Sequence, residues 1–441
     1  MGVPGFFWWI VKNSKKYQNN IVLKKLNGKN VDILYLDSNC LFHPQCFKTL
    51  DNYKDWDNKN IIEEKMIKRI LKYIDFLVNY VNPQKKLYIS VDGVAPLAKM
   101  NQQRKRRFMS VHEKKITDSI KRRNNKEINS NSWSNIVISP GTEFMEKLST
   151  SIKLHFKKKK KKKYSIIYSS YHVNGEGEHK ILDDIRSRNI SNNETYVIYG
   201  LDADLIFLSL ASQRNNIYLL REAVQFNNNN KFKEKKDKDD VEEELNYLSI
   251  DNLKNCLKEK MTTMILKRAS YNGYKIKKKI DNNFINDFIF ICFFLGNDFL
   301  PHIPSIDINN YGLDNIINSY IDTYIECCEN NIININKEIY INEIMVSFFI
   351  NKLSNIENSY FSKVLPKYLH KKRNRRCRVN NGYDRDIWNL NNMKYIKFVD
   401  TIKLGEGDEK QWRYRYYAEY TGEIDNQKEI IKNMCMSYME G

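Results

Sequence analysis

Two short apolar runs, Ile33–Asp37 (ILYLD) and Leu87–Asp92 (LYISVD), each stop on an aspartate. Between them Ile62, Met66, Ile67, Ile70, Leu71, Ile74, Leu77, Val78 and Val81 recur with helical spacing. A buried strand, a long amphipathic helix and a second buried strand make the βαβ unit of a mainly parallel sheet. The alternation continues. A helix is predicted from an N-cap at Thr142, with Phe144, Met145, Leu148 and Ile152 on its inner face. Strands are predicted over Ser165–Ser169, Tyr196–Asp202 and Asn216–Arg221, and helices over Glu178–Arg188 and Ile285–Leu295. The expected fold class is α/β, a mainly parallel sheet flanked by helices, followed by a mostly helical C-terminal region.

In open α/β sheets, ligands bind beyond the carboxyl ends of the strands. Asp37, Asp92 and the pair Asp202/Asp204 fall at that edge, Glu176 and Glu178 lie in the turn NGEGEH that opens a helix, and Asp298 follows Gly296 and Asn297. One aspartate at such a place is most simply a turn residue or helix cap. Seven acids from five segments are better explained by one rim. Like charges packed together raise each other's pKa unless cations sit among them. Oxygen ligands without His or Cys partners suit Mg²⁺ or Mn²⁺, and two ions about 3.5–4 Å apart stabilise both the attacking and leaving oxygens of a phosphoryl displacement. Asp183, Asp184 and Asp287 sit inside helical patterns and are expected on solvated faces.

Positive charge matches this chemistry. The 441 residues carry 73 Lys+Arg against 53 Asp+Glu, a formal charge of +20, which suits a polyanionic partner. Part of the excess lies in low-complexity stretches expected as exposed loops: Lys157–Lys163, the stretch from Asn227 to Glu244, and Lys275–Lys279. Another part is patterned. Lys99, Gln103, Arg106 and Arg107 fall within roughly a 100° arc of one helix, which can present them together to a phosphate. His43 either contacts a base or phosphate or is a packed loop histidine. The basic residues around Lys371 and Arg375 either track a nucleic-acid backbone or, more simply, form a solvated loop, and Trp8, Trp9 and Tyr416 read as core or lid packing. The longest apolar runs are shorter than the roughly 18 residues a membrane span requires, and no secretory signal is visible. Eight cysteines without a CxxC pair are expected as reduced thiols. The expectation is a soluble intracellular protein with no membrane partner, in nucleus or cytoplasm, which the Lys-rich runs do not distinguish.

The blocks MGVPGFF, LYLDSN, VDGVAPLAKMNQQRKRRF, SPGTEF, HVNGEGEHKI, YGLDADLIFLSL and FICFFLGNDFLPHIP resemble, in order, those of the Xrn-type 5′→3′ exoribonucleases. WRYRYYAEY around Trp412 resembles the start of that family's second conserved region. The resemblance implies a PIN-like, flap-nuclease-related nuclease domain over residues 1–305, with insertions at about 157–163 and 227–244, and a mostly helical region over 306–441. It implies processive degradation of single-stranded RNA bearing a 5′-monophosphate, with two Mg²⁺ ions: water attacks the first phosphodiester in line and a nucleoside 5′-monophosphate leaves. By the same likeness Asp37, Asp92, Glu176, Glu178, Asp202, Asp204 and Asp298 are the catalytic, metal-binding acids. Lys99, Gln103, Arg106 and Arg107 form the 5′-phosphate pocket, and His43 contacts the terminal nucleotide. Family members run well beyond 441 residues, and their second region supplies an aromatic residue that stacks on the 5′ base. Two other readings share parts of this pattern. A structure-specific DNA flap nuclease uses the same metals but does not require a terminal phosphate, and a catalytically idle nucleic-acid-binding scaffold has no need of all seven acids.

Overall fold

The computed structural model describes residues 6–13, 21–26, 28–53, 58–128, 133–158, 163–189, 193–223, 241–276, 283–296, 302–335, 339–375, 381–392 and 402–422, with scattered residues elsewhere. They belong to two compact units: Met1–Ala95 with Asn131–Thr263, and Pro96–Ser130 with Met264–Gly441.

The first unit is built on a seven-stranded sheet. Its strands are β1 (Val22–Leu23), β2 (Ile33–Asp37), β3 (Lys86–Ser90), β4 (Ser165–Ser169), β5 (Tyr196–Tyr199), β6 (Ile217–Glu222) and β7 (Leu245–Ser249), in the order β1-β7-β6-β5-β2-β3-β4. The five strands from β6 to β4 are mutually parallel, whereas β7 runs antiparallel to β6 and β1 antiparallel to β7. The predicted strands are all present. β1 and β7 were not foreseen: β1 is two residues long, and β7 emerges directly from the charge-biased stretch. From β2 the chain builds outward to β3 and β4 on one side and to β5 and β6 on the other. The topological switch therefore lies between β2 and β5, where open sheets form their ligand crevice.

All five residues of β2 are buried, because helices cover both faces of the sheet. Leu34 and Leu36 join a core with Phe42 of α2 (Ser38–Asn52) and with Ile70, Ile74 and Leu77 of α3 (Lys59–Val81). The connection from β3 to β4 carries α4 (Leu97–Arg123), which belongs to the second unit, and α5 (Glu143–Lys158), whose Phe144, Met145, Leu148 and Ile152 enter the first unit's core as predicted. Met145 N donates to Thr142 Oγ1 at 3.4 Å, supporting the foreseen start of α5. The alternate side chain of β2, Tyr35, donates to Asp184 of α6 (Gly177–Ser187) at 2.6 Å. Asp184 also receives Lys86 Nζ at 2.6 Å and Arg188 Nε at 3.2 Å. It is thus a half-buried hub rather than the solvated residue expected. Burial pushes its carboxyl up, but Lys86 and Tyr35 outweigh it and the net shift is down. After β5 comes α7 (Asp204–Ala211), and after β7 comes α8 (Ile250–Tyr271), whose last residues belong to the second unit.

The second unit is mainly helical: α9 (Asn283–Cys292), α10 (Gly312–Glu326), α11 (Glu343–Ser359), α12 (Leu365–Arg373), α13 (Gly382–Asn391) and α14 (Glu409–Thr421), with a small hairpin of β8 (Ile333–Ile335) and β9 (Ile339–Ile341). Its polar centre is Asp287 on α9, fully buried, which accepts from Tyr320 Oη at 2.6 Å, Asn331 Nδ2 at 3.0 Å, Ile332 N at 3.1 Å and Ile333 N at 2.7 Å. The solvated-face expectation for Asp287 was wrong. A helical pattern cannot show that a later turn folds back to supply three donors and that Tyr320 of α10 supplies a fourth. Trp412 packs edge-on to Phe361 at 4.9 Å, Tyr416 against Tyr417 at 5.5 Å, and Trp9 on Phe6 at 6.1 Å, consistent with packing roles; the side chain of Trp8 lies outside the described residues. Lys157 and Lys158 end α5 as exposed residues instead of opening a loop, and most of the other low-complexity stretches lie outside the described residues. The seven described cysteines are free thiols, and Cys435 lies outside the description. Among the described residues no helix is long and apolar enough to cross a membrane.

Candidate metal centre at the sheet rim

Asp37 is the last residue of β2, only 6% exposed, and stands in register with Ser90 of β3. Asp92 lies two residues past the end of β3, and Asp202 three past the end of β5, so Asp37 and Asp202 follow the two strands that flank the switch point and Asp92 follows the next strand, β3. The loop carrying Asp92 is clamped to the loop carrying Glu176: Gly93 N donates to Gly175 O at 2.9 Å, and Gly175 N to Val94 O at 2.9 Å. Glu176, 6% exposed, occupies the position just before the first residue of α6, and Glu178 is in the helix's first turn.

Gly177 measures the convergence. A β-carbon there would lie 2.9 Å from Asp37 Oδ1 and 3.2 Å from Asp92 Oδ1. Two carboxylates from neighbouring strands therefore close on the N-terminus of α6, where exposed N–H groups favour negative charge. One such group is used directly, Gly177 N donating to Asp92 Oδ1 at 2.6 Å. Ser90 Oγ donates to Gly177 O at 2.9 Å and ties β3 to the same turn.

The electrostatics reflect this crowding. Burial, then the charges of Asp92, Asp202 and Glu176, push the Asp37 carboxyl well above the usual carboxylate range. Four of the seven acids thus share one field. Glu176, Glu178 and His179 form a second grouping, each offering a ligand atom within 4.8 Å of the others. Asp204 begins α7 two residues after Asp202. Asp298 lies outside the described residues. Crowded carboxylate oxygens that repel one another at the carboxyl ends of the strands fit hard divalent cations.

The sequence reading listed acids and overlooked the cations that hold them. Lys180, 8% exposed, donates to Val91 O at 2.8 Å and Ser170 O at 3.2 Å, tying the residue before Asp92 to the residue after β4. Burial lowers its pKa and the charge of Asp92 raises it, with burial prevailing. Arg221, at the end of β6, donates to Leu201 O at 2.6 Å and so fastens the residue beside Asp202, while its guanidinium lies 4.2 Å from the centre of the Phe7 ring. The charge of Asp202 raises the Arg221 pKa, but burial outweighs it and the shift is down. Asn39 Oδ1 accepts from Asp92 N at 3.2 Å. Lys180 and Asn39 stand inside the quoted motifs, but neither spacing nor residue type signals their roles; His179 was also passed over.

Lys99, Gln103, Arg106 and Arg107 lie on α4, on one face as predicted, in the second unit. Lys99 is buried, Gln103 and Arg107 are half-buried, Arg106 is exposed, and Arg107 Nη2 donates to Gln103 Oε1 at 3.4 Å. His43 is half-buried in α2, a helix that contains Pro44, and not in a loop. Arg375 donates to Asn392 Oδ1 at 3.0 Å.

The sequence profile of the XRN 5′-3′ exonuclease N-terminus matches residues 1–223, just over half of the chain, and that of the Xrn1 helical domain matches residues 277–397. The chain belongs to the XRN 5′-3′ exonuclease family. Among its relatives are proteins named 5′-3′ exoribonuclease 2. The one from Aspergillus fumigatus is 34% identical over 388 residues, covering 72% of this chain and 35% of that protein. The one from Saccharomyces cerevisiae is 33% identical over 383 residues, covering 74% of this chain and 37% of that protein. The XRN-family chain described here thus spans about a third of the length of the curated relatives it matches. A solved structure, the catalytic core of Rad2 in complex with DNA substrate, covers 98% of this chain at 14% identity and a TM-score of 0.36.

Proposed function

We propose that this protein is a 5′→3′ exoribonuclease that hydrolyses single-stranded RNA bearing a 5′-monophosphate, one nucleotide at a time, with two Mg²⁺ ions, Mn²⁺ being able to substitute. The observation that carries the reading is the set of acids centred on Asp37 at the sheet rim, in a chain of the XRN family. On this reading residues 1–305 carry the nuclease motifs and residues 306–441 a helical region, and the protein acts inside the cell.

Asp37, Asp92, Glu176, Glu178, Asp202, Asp204 and Asp298 would hold the ions. When bound, Mg²⁺ supplies Lewis-acid stabilisation of the oxygens that gain charge and makes water a stronger nucleophile near neutral pH. The rest is done by the protein's own groups. Lys180 and Asn39 hold the backbone beside Asp92 so that its carboxylate keeps one orientation. Arg221 does the same for the loop of Asp202. Gly177 lets Asp37 and Asp92 approach each other without a side chain between them. We assign the face of α4, Lys99, Gln103, Arg106 and Arg107, to the terminal phosphate, where guanidinium groups can bind two oxygens at once. His43 is assigned to the terminal nucleotide.

The test is to incubate the purified protein and Mg²⁺ with 5′-monophosphate, 5′-hydroxyl and 5′-triphosphate RNA and with a DNA flap. Release of mononucleotides from the first substrate alone is expected. Equal rates on hydroxyl and monophosphate ends would remove the assignment of α4, and cutting of the flap alone would replace the ribonuclease reading.

A further inference from the structure

Helix α3 carries a second cluster of positive charge that the metal centre does not use. Lys65, Lys68, Arg69 and Lys72 fall within roughly a 100° arc of the helix. With Thr49 and Tyr53 from the end of α2 they line a recess of about 60 Å³.

Two features set this recess apart from an ordinary solvated basic face. Its cations are held. Arg69 Nε donates at 3.0 Å to Oε1 of the fully buried Gln45, and the Lys65 ammonium sits 4.1 Å from the centre of the Tyr53 ring. The main-chain carbonyl of Gln45 accepts from Thr49 Oγ1 at 2.9 Å. Anchoring removes in advance part of the side-chain entropy that a long cation loses when it binds. Three of the four also stand outside the ion pairs of the fold: Lys65, Lys68 and Lys72 form no ion pair with a described residue, and the Gln45 Nε2 donor has no acceptor among the described residues. Other lysines of the first unit behave differently. Lys85, Lys86 and Lys147 each pair with a carboxylate.

Four cations around a small recess suit a tetrahedral oxyanion. Thr49 lies twelve residues along α2 from Asp37, so at about 1.5 Å per residue the recess is roughly 18 Å from the rim. It is too far away to hold the group that is cleaved. We infer that the recess on α2 and α3 is a distal phosphate subsite, which holds the backbone of single-stranded RNA several nucleotides from the scissile bond. The inference rests on the ribonuclease reading.

The experiment compares Lys68→Ala/Lys72→Ala with wild type, Ca²⁺ replacing Mg²⁺. Fluorescence anisotropy would follow a short 5′-monophosphorylated oligoribonucleotide, able to reach the metal centre only, and a long one, over a range of salt concentrations. For the long RNA, affinity should fall about tenfold, and the slope of log affinity against log salt should shrink by about 1.4, or about 0.7 for each lost phosphate contact. Binding of the short RNA, and its cleavage with Mg²⁺, should not change. Lys68→Arg/Lys72→Arg should restore both affinity and slope, which a merely misfolded variant could not do. An unchanged slope for the long RNA overturns the inference. So does protection of these lysines from acetylation by inorganic phosphate when RNA gives none, because the recess then takes a free anion. Failure of the wild type to cleave even the short RNA would instead remove the ribonuclease reading, and the inference with it.

Discussion

Asp37→Asn removes one charge from the most crowded point of the rim and nearly preserves the shape of the side chain. The distances from the Gly177 site put Asp37 Oδ1 and Asp92 Oδ1 no more than about 6 Å apart, and at an effective dielectric constant of about 20 their repulsion is roughly 3 kcal/mol. Asp202 and Glu176 add to it. The carboxyl can escape by taking up a proton, which at pH 7 costs about 4 kcal/mol relative to its ordinary value of 3.8. That escape sets a ceiling. The metal-free variant should therefore be more stable than the metal-free wild type by about 3–4 kcal/mol at pH 7, a rise in melting temperature of about 5–15 °C for a unit of this size. The sign also fixes the pH dependence. The folded-state pKa lies above the unfolded value, so the penalty is absent below the unfolded value of 3.8, grows as pH rises, and is complete above the raised pKa. The variant's advantage should shrink as pH falls toward that value. Mg²⁺ should raise the melting temperature of the wild type and close the gap, while cleavage by the variant is lost. Calorimetry in EDTA and in Mg²⁺ at acidic and neutral pH measures all of this. A metal-free Asp37→Asn protein that melts at or below the wild type would refute the reasoning, because the acids would then not be repelling one another.

Other outcomes follow from single contacts. Gly177→Ala puts a methyl 2.9 Å from Asp37 Oδ1 and should lower cleavage at least about a hundredfold with little change in circular dichroism. Lys180→Met leaves the Val91 and Ser170 carbonyls without their donor and should destabilise the protein by about 2–4 kcal/mol, read by chemical denaturation. Arg221→Met frees the Leu201 carbonyl, so isothermal titration should show weaker Mg²⁺ binding with a nearly unchanged fold. Asp287→Ala strands four buried donors and should cost about 3–5 kcal/mol, enough to unfold the second unit in mild urea.

The sequence alone determined the parallel core of the sheet, the helices that cover it, and that Asp37, Asp92 and Asp202 stand at or just beyond the carboxyl ends of strands. Those features are set by short-range periodicity: an apolar run bounded by a polar residue has the same meaning wherever the chain goes next. It also determined that Lys99, Gln103, Arg106 and Arg107 share one helix face, since helical phase needs no tertiary contact. What only the tertiary structure decided depends on residues far apart in the chain. Asp184 and Asp287 sit in helical patterns identical in kind to that of Asp183, which is exposed, yet Lys86 and Tyr35 reach the first and the Asn331–Ile333 turn reaches the second. Lys180 and Arg221 became supports of the rim only when their carbonyl partners were in place. The recess on α3 needed α2 packed beside it before four basic residues at helical spacing became a concave site. Periodicity gives direction along one element, whereas burial and charge pairing depend on which elements meet.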